Sequence, residues 1–417
     1  MKHHIRNILI ALAAGIVVQT AFAQQSIVRL PLYECINIAL DDNIAYKRAK
    51  IAVSQSQIME RTAFDVPQTA LSFVQTATDG GGPDNGVKLS QEFDFPTVYA
   101  AKRKYLKSET ALERSKAEMT KSDLVAEISS LYYSLLYRKE ICAIVAAQDT
   151  LYERFCSVAK ARYDEGESSK IEWLNARRLM SENKLAIEQA QVERKALMLQ
   201  LQALLNVDYA VEPLEDALAP IDDAAYGDTV DFASTPEGMI ADGRLQVAQQ
   251  NERLAKQGFM PTLSVGATTQ LLIKGFNPYD IDRRRFEKGD FVGFEVGVSV
   301  PLFFGSQKAK VRAATQAVKA EELKKAEQER KQEAELQILG EDYVAALRTL
   351  RYYRRTGLPE AEEMLRLSLV SYELGEIGYE EHARNLENII SVKRTYSEAL
   401  EKYNQTILKL KRIKGQL

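Results

Sequence analysis

The chain has 417 residues, with 55 Lys and Arg against 58 Asp and Glu and a net charge of −3 with histidine neutral. Loss of Lys2 and Arg6 with an export signal makes the balance more acidic, which argues against nucleic acid, a partner that asks for a basic face. Three Cys and three His are too few and too scattered for a disulfide framework or a metal cluster.

In chain order, Lys2 and Arg6 precede an apolar run from Ile8 to Val18, and Ala21-Phe22-Ala23 has the small-x-small pattern of a cleavage site. Residues 1–23 are therefore read as a signal peptide, with Gln24 starting the mature chain. Eleven apolar residues are too few to cross a bilayer as a helix, and no Cys follows the cleavage site to carry a lipid. Nothing after the signal has the continuous apolarity of a membrane-spanning helix.

Strand patterns follow. Thr69–Thr76 carries Leu71 and Phe73. From Val87 to Phe95 the odd positions are Val, Leu, Gln, Phe, Phe and the even ones Lys, Ser, Glu, Asp. Between Pro96 and Gly166 there is no Gly or Pro, so 97–164 is predicted as one helix, about 100 Å long at 1.5 Å per residue. Its apolar positions step by threes and fours through Leu124, Ile128, Leu131 and Leu135. Cys142 and Cys156 on this helix would lie roughly 21 Å apart, beyond the roughly 7 Å Cα limit of a disulfide, and are read as small packing residues. Residues 207–235, with Pro213, Pro220 and several acids, show no period and are read as a connector on the outside of the helical body.

The pattern then returns. Leu263, Val265, Ala267 and Leu271 alternate with Ser264, Gly266, Thr268 and Gln270, and every even position from Val292 to Leu302 is apolar. A second long helix over 306–373 is expected to be interrupted at Gly340 and at Gly357-Leu358-Pro359, where proline removes a helical hydrogen bond. Ile389, Val392, Tyr396, Leu400, Tyr403, Ile407 and Leu410 average the 3.5-residue coiled-coil period. His382, in Glu380-Glu381-His382-Ala383-Arg384, does not form a zinc-binding HExxH motif and is expected to be a solvated helix residue.

The two halves are related. Adding 209 carries Phe95, Ala100, Arg103, Tyr163, Gly166, Glu167, Glu172, Lys184, Leu199 and Leu201 onto Phe304, Ala309, Arg312, Tyr372, Gly375, Glu376, Glu381, Lys393, Leu408 and Leu410, while Pro67 meets Pro261 at an offset of 194. A constant offset over so long a span marks a duplicated half-domain rather than a short-period solenoid. The expected domains are a first repeat over 24–206 with strands near 68–77 and 87–95, the connector, and a second repeat over 236–417 with strands near 262–271 and 292–303.

Strands of about 9 to 11 residues with one apolar face suit a tilted transmembrane β-strand. Lipid offers the backbone no hydrogen bonds, so a spanning sheet must close, and four strands are too few. Several subunits must pool their hairpins, two giving 8 strands and three giving 12. Phe93, Phe95, Phe303 and Phe304, where strands meet helices, fit an interfacial aromatic girdle.

The export signal, the duplicated plan, the Phe-Asp-Phe-Pro exit from the second strand, the Val-Pro-Leu-Phe-Phe-Gly exit from the fourth and the Tyr-x-x-Gly turns at 163 and 372 together resemble the TolC-like outer-membrane efflux proteins. The resemblance implies a mainly α chain with transmembrane β, whose long α-helical hairpins form an α-barrel. Four strands per protomer would share a 12-stranded β-barrel in a homotrimer set in outer-membrane lipid. It implies a passive exit duct for drugs, metals or other small molecules. A periplasmic adaptor and a proton-driven or ATP-driven inner-membrane transporter would be its partners.

By the same resemblance Glu172 ties to Tyr372 to hold a periplasmic gate shut, and Glu381, beside Glu380, forms an acidic ring. Tyr163, Gly166, Tyr372 and Gly375 mark the adaptor-docking tips. Arg384 stands where relatives carry a second acid, and Ile377 where they carry Arg. No Walker or Rossmann glycine pattern and no catalytic constellation is present, so no enzyme and no cofactor are expected. The alternatives are the outer component of a type I protein secretion system, which uses the same duct, and a soluble periplasmic coiled-coil scaffold.

Overall fold

In a computed structural model of the chain, residues 27–76, 84–222, 227, 230–271 and 292–417 are described. The expected export signal, most of the first hairpin turn (78–86) and the charged turn at 272–291 lie outside them. The elements are β1 (Ile27–Leu30), α1 (Leu32–Asp42), α2 (Ile44–Met59), β2 (Ala70–Thr76), β3 (Asp84–Asp94), α3 (Pro96–Asp164), α4 (Lys170–Leu205) and β4 (Ala210–Pro213). After these come α5 (Pro236–Lys256), β5 (Thr262–Leu271), β6 (Val292–Ser299), α6 (Gly305–Tyr352), a π-helical turn (Tyr353–Gly357), α7 (Leu358–Glu373) and α8 (Tyr379–Lys414). They divide into two compact units: Met1–Lys47, Thr120–Asp231 and Gln332–Leu417 form one, and Arg48–Met119 with Phe232–Lys331 forms the other.

The expected uninterrupted helix is α3, 69 residues long. It opens on Pro96, whose missing N–H is one of the first-turn donors that lack a helical partner in any case. It ends where Gly166 takes φ 81°, a left-handed conformation that glycine alone adopts without strain. The Glu167 N–H then returns to the Arg162 carbonyl at 2.8 Å, closing the helix end.

In the first unit the apolar steps of α3 point inward as their spacing requires. Leu124, Ile128 and Leu135 are buried with Leu400, Tyr403, Ile407 and Leu410 of α8, Leu201 and Leu205 of α4, and Leu339, Tyr343 and Leu350 of α6. The α3–α8 seam is also stitched by polar pairs. Ser130 Oγ donates to Gln405 Oε1 at 2.6 Å, Ser134 Oγ to Glu401 Oε1 at 2.8 Å, and Arg412 Nε to Asp123 Oδ1 at 2.7 Å.

The expected outer connector is partly core. Its residues Ala210–Pro213 form β4, which pairs in parallel with β1, and Val211 is fully buried. Beyond it Asn404 of α8, also fully buried, donates to the Ala219 carbonyl and accepts the Ile221 N–H, both at 2.9 Å. Tyr132 secures the junction from α3. Its hydroxyl accepts the Leu214 N–H at 3.2 Å, with the Leu30 carbonyl at 2.9 Å and the Glu215 carboxylate in donating reach. Burial, then the bond to Glu215, pushes the Tyr132 pKa up, so the phenol stays a neutral donor.

In the second unit the four strands form one antiparallel sheet in the order β2-β3-β5-β6. Helix α5, most of α2, the start of α3 and the start of α6 belong to this unit, tied by Ser56 to Thr110 at 3.1 Å, Thr315 to Glu252 at 2.7 Å and Lys325 to Asp242 at 2.5 Å. The fourth strand leaves the ladder at Ser299 rather than at 303, because Pro301 has no N–H to donate and restricts the residue before it.

Two readings of the second long helix divide. Gly340 does not interrupt it, since α6 runs through to Tyr352. Pro359 does act: the π turn Tyr353–Gly357 immediately precedes α7, and the Leu358 N–H bonds back to the Tyr353 carbonyl. Gly357 leaves room for the Tyr353 ring, which an added Cβ would meet at 2.8 Å.

Tyr132→Phe removes the hydroxyl that joins α3 to the small parallel sheet and takes a donor from the Glu215 carboxylate, while the Leu214 N–H keeps the Leu30 carbonyl as its acceptor at 3.0 Å. The expected cost is about 1 to 3 kcal/mol, read as a lowered thermal midpoint of the purified protein. An unchanged midpoint would show that the junction holds without it.

Candidate functional site

Register decides what the sheet presents. Leu71 and Phe73 of β2 pair with Leu89 and Val87 of β3, and the row continues through Ala267, Val265 and Leu263 of β5 to Phe294, Val296 and Val298 of β6. One face is therefore apolar across all four strands, and it is uncovered: Phe294 is 84% exposed and Val296 80%. The opposite face carries Lys88, Ser90 and Glu92, then Ser264, Gly266 and Thr268, then Gly293, Glu295 and Gly297. Lys88 Nζ meets Glu295 Oε2 at 2.5 Å across β5. Both side chains are partly exposed, so the pair contributes at most about 1 kcal/mol. Of the expected girdle residues, Phe93 and Phe95 are half-buried, Phe303 is exposed, and Phe304 packs on Phe259 with ring centroids 5.8 Å apart.

Helices outside the sheet also show apolar stripes. Ile44, Ile51 and Ile58 of α2 are each at least 60% exposed and spaced by seven. Leu185, Val192 and Leu199 of α4 repeat the same spacing and are also exposed. A seven-residue apolar stripe is the seam that a coiled coil buries.

The two Tyr-x-x-Gly turns in the first unit share one backbone geometry and differ in side-chain packing. Gly375 takes φ 75°, matching Gly166. In the α3–α4 turn Tyr163 stacks on Trp173, with centroids 5.6 Å apart and planes 12° apart, and Ser169 caps α4 by accepting the Glu172 N–H at 3.3 Å. Glu172 thus sits in the first turn of a helix, where the dipole favours a carboxylate.

The expected bond from Tyr372 to Glu172 is not formed. Among the described residues the Tyr372 hydroxyl has no hydrogen-bond partner. Its ring is turned instead onto His382, stacked at 4.5 Å with planes 4° apart, and Phe155 of α3 meets both rings edge-on. His382 is buried, not solvated as its acidic neighbours suggested, and its Nδ1 lies 2.9 Å from Ser368 Oγ, which also accepts from Asn385 Nδ2 at 3.3 Å. Burial pushes the imidazole pKa below its ordinary 6.5, and a hydrogen bond to Ser368 opposes that shift. Beside the stack is a cavity of about 400 Å³ lined by Leu151, Arg154, Arg162, Glu167, Leu369 and Leu386 among others.

Glu381 and Arg384 are exposed on α8. Among the described residues neither they nor the Glu172 side chain make a hydrogen bond or ion pair. The Glu380 side chain lies outside the described residues. Sequence reasoning missed His382, Ser368, Phe155 and Trp173. The available signal was the four-residue spacing of Ser368 and Tyr372, which puts them on one helix face. Among the described residues all three cysteines are free, and burial pushes the Cys35 thiol up to about 12. No group of His, Cys, Asp and Glu among the described residues could hold a metal ion.

Among solved structures the chain is similar to the outer membrane protein VceC from Vibrio cholerae, with 16% identity, a TM-score of 0.74, and 92% of this chain and 96% of that one covered. It is similar to the outer-membrane channel OprN, with 13% identity, a TM-score of 0.74, and 93% and 90% covered. The Campylobacter jejuni CmeC outer membrane channel gives 15%, 0.70, 93% and 86%. The fold is that of the TolC-like outer-membrane channels. No protein-family model and no curated protein matches the sequence.

If Tyr372 is held by stacking rather than by its hydroxyl, Tyr372→Phe should leave the thermal midpoint unchanged, since it removes a group that bonds to nothing. Tyr372→Leu keeps apolar bulk but loses the aromatic pair, worth about 0.5 to 1.5 kcal/mol, and should lower it. The reverse order would mean that the hydroxyl has a partner in the assembled protein.

Proposed function

We propose that this chain is one of three identical protomers of an outer-membrane exit duct, the outer component of a tripartite efflux pump. The observation that supports this reading is the four-stranded sheet: one face apolar and uncovered, two edges without a partner among the described residues, in a chain with the TolC-like fold. Three copies give twelve strands and close the edges, and the charged face then lines a water-filled lumen. The seven-residue stripes on α2 and α4 are the surfaces that neighbouring helices would cover. The two halves, 24–206 and 236–417, are duplicated copies of one hairpin unit, joined through the connector at 207–235.

The chain needs no energy source of its own in this reading. An inner-membrane transporter supplies the work, and a periplasmic adaptor hands on small-molecule cargo by docking at the Tyr163–Gly166 and Tyr372–Gly375 turns. Glu172 and Glu381, with Glu380 and Arg384 nearby, act in the gate between protomers; Glu172, Glu381 and Arg384 have no side-chain partner among the described residues. Three carboxylates around a narrow axis attract cations and resist ionising together.

Two experiments test this. Phe294→Lys places a charge on the lipid-facing side, at a cost of about 2 to 4 kcal/mol near the bilayer midplane, and should abolish outer-membrane assembly, whereas Ser264→Lys on the opposite face should assemble normally. Equal tolerance of both would remove the membrane assignment. In mild detergent the protein should sediment as a trimer, and a detergent-free monomer would restore the soluble scaffold.

A further inference from the structure

Resting on the reading of the α7–α8 turn as part of a gate, we propose that His382 is a pH-sensitive latch: neutral, it holds α7 and α8 docked on α3, and protonated, it releases them. The geometry is that of a packing residue placed where a charge cannot be accommodated. His382 is 4% exposed, lies flat against Tyr372 of α7, receives the edge of Phe155 of α3 and reaches Ser368 of α7 through Nδ1. One side chain of α8 therefore joins three helices.

The surroundings offer a second positive charge little compensation. From α3, Arg154 and Arg162 line the adjoining cavity, and both are cationic. From the α3–α4 turn comes Glu167, already 3.8 Å from Arg162 Nε. From α7 come Tyr372 and Ser368, which carry no charge. On α8 itself Glu381 and Arg384 are exposed on neighbouring positions with opposite signs. Burial lowers the imidazole pKa while docked. The docked tip binds the proton less well than a released tip with a pKa near 6.5, so docking is complete above that pH and weakens as the pH falls from there toward the lowered docked value. His382 is also the sole histidine left once a signal at 1–23 is removed, so no other imidazole competes for the effect.

The test uses the full mature chain in detergent, following hydrogen exchange over 361–372 corrected for the intrinsic pH dependence of amide exchange. Protection should fall between pH 7.5 and 5.5, by about tenfold at most. His382→Phe, which keeps the stack and cannot titrate, should show no fall. If it does not assemble, His382→Asn serves instead. A flat wild-type profile, or an undiminished fall in either variant, overturns the latch. Conductance in planar bilayers read in parallel separates the two claims: rising together with the loss of protection, it supports both. Protection lost at constant conductance leaves the latch standing and removes the gate reading.

Discussion

β2 and β6 each end the sheet with a row of backbone N–H and C=O groups that no strand of the described chain pairs. In water that is an aggregation hazard, and in lipid each unpaired group costs several kcal/mol. The apolar face rules out water as the resting place, and the edges rule out lipid for a single copy. The proposed trimer would meet both demands. The same assembly would cover the exposed seven-residue stripes of α2 and α4, while the core of the first unit lies between α3, α4, α6 and α8.

The two helical turns illustrate how one backbone solution can serve different side-chain ends. Gly166 and Gly375 reverse the chain in the same left-handed conformation, yet one turn is braced by a Tyr–Trp stack and the other by a Tyr–His stack. The asymmetry lies in the ring that each tyrosine meets, Trp173 of α4 in one turn and His382 of α8 in the other.

Much of this was legible in the residues. Alternation in Val87–Phe95 and Leu263–Leu271 declared two-faced strands because the side-chain period of a strand is two. The absence of Gly and Pro between 96 and 166 declared α3, and the Tyr-x-x-Gly motifs declared its cap. What was not legible depends on partners distant in sequence. β1 and β4 have four residues each and pair across about 180 positions, so neither carries a period long enough to read. Asn404 looked like one polar residue among many until the connector's backbone was found bonded to it. His382 followed an acidic pair and read as solvated, because its burial comes from Phe155 and Tyr372, which no local pattern brings to it. Gly340 was over-weighted: a glycine lowers helix stability by about 1 kcal/mol relative to alanine, which a 48-residue helix packed through Leu339 and Tyr343 absorbs.

The π turn between α6 and α7 changes the angular phase of the helix. Five residues wound at about 4.4 per turn rather than about 3.6 lose nearly 90°, close to the angle of one residue. The stripe through Leu339, Tyr343, Ala346 and Leu350 therefore does not continue in line into Ala361, Leu365 and Ser368 but is rotated around the axis. The α7 segment can in this way address Phe155 and His382 while α6 addresses Tyr403 and Ile407. The π turn thus stands at the change of phase between α6, packed among Tyr403 and Ile407, and α7, whose Tyr372 lies flat on His382.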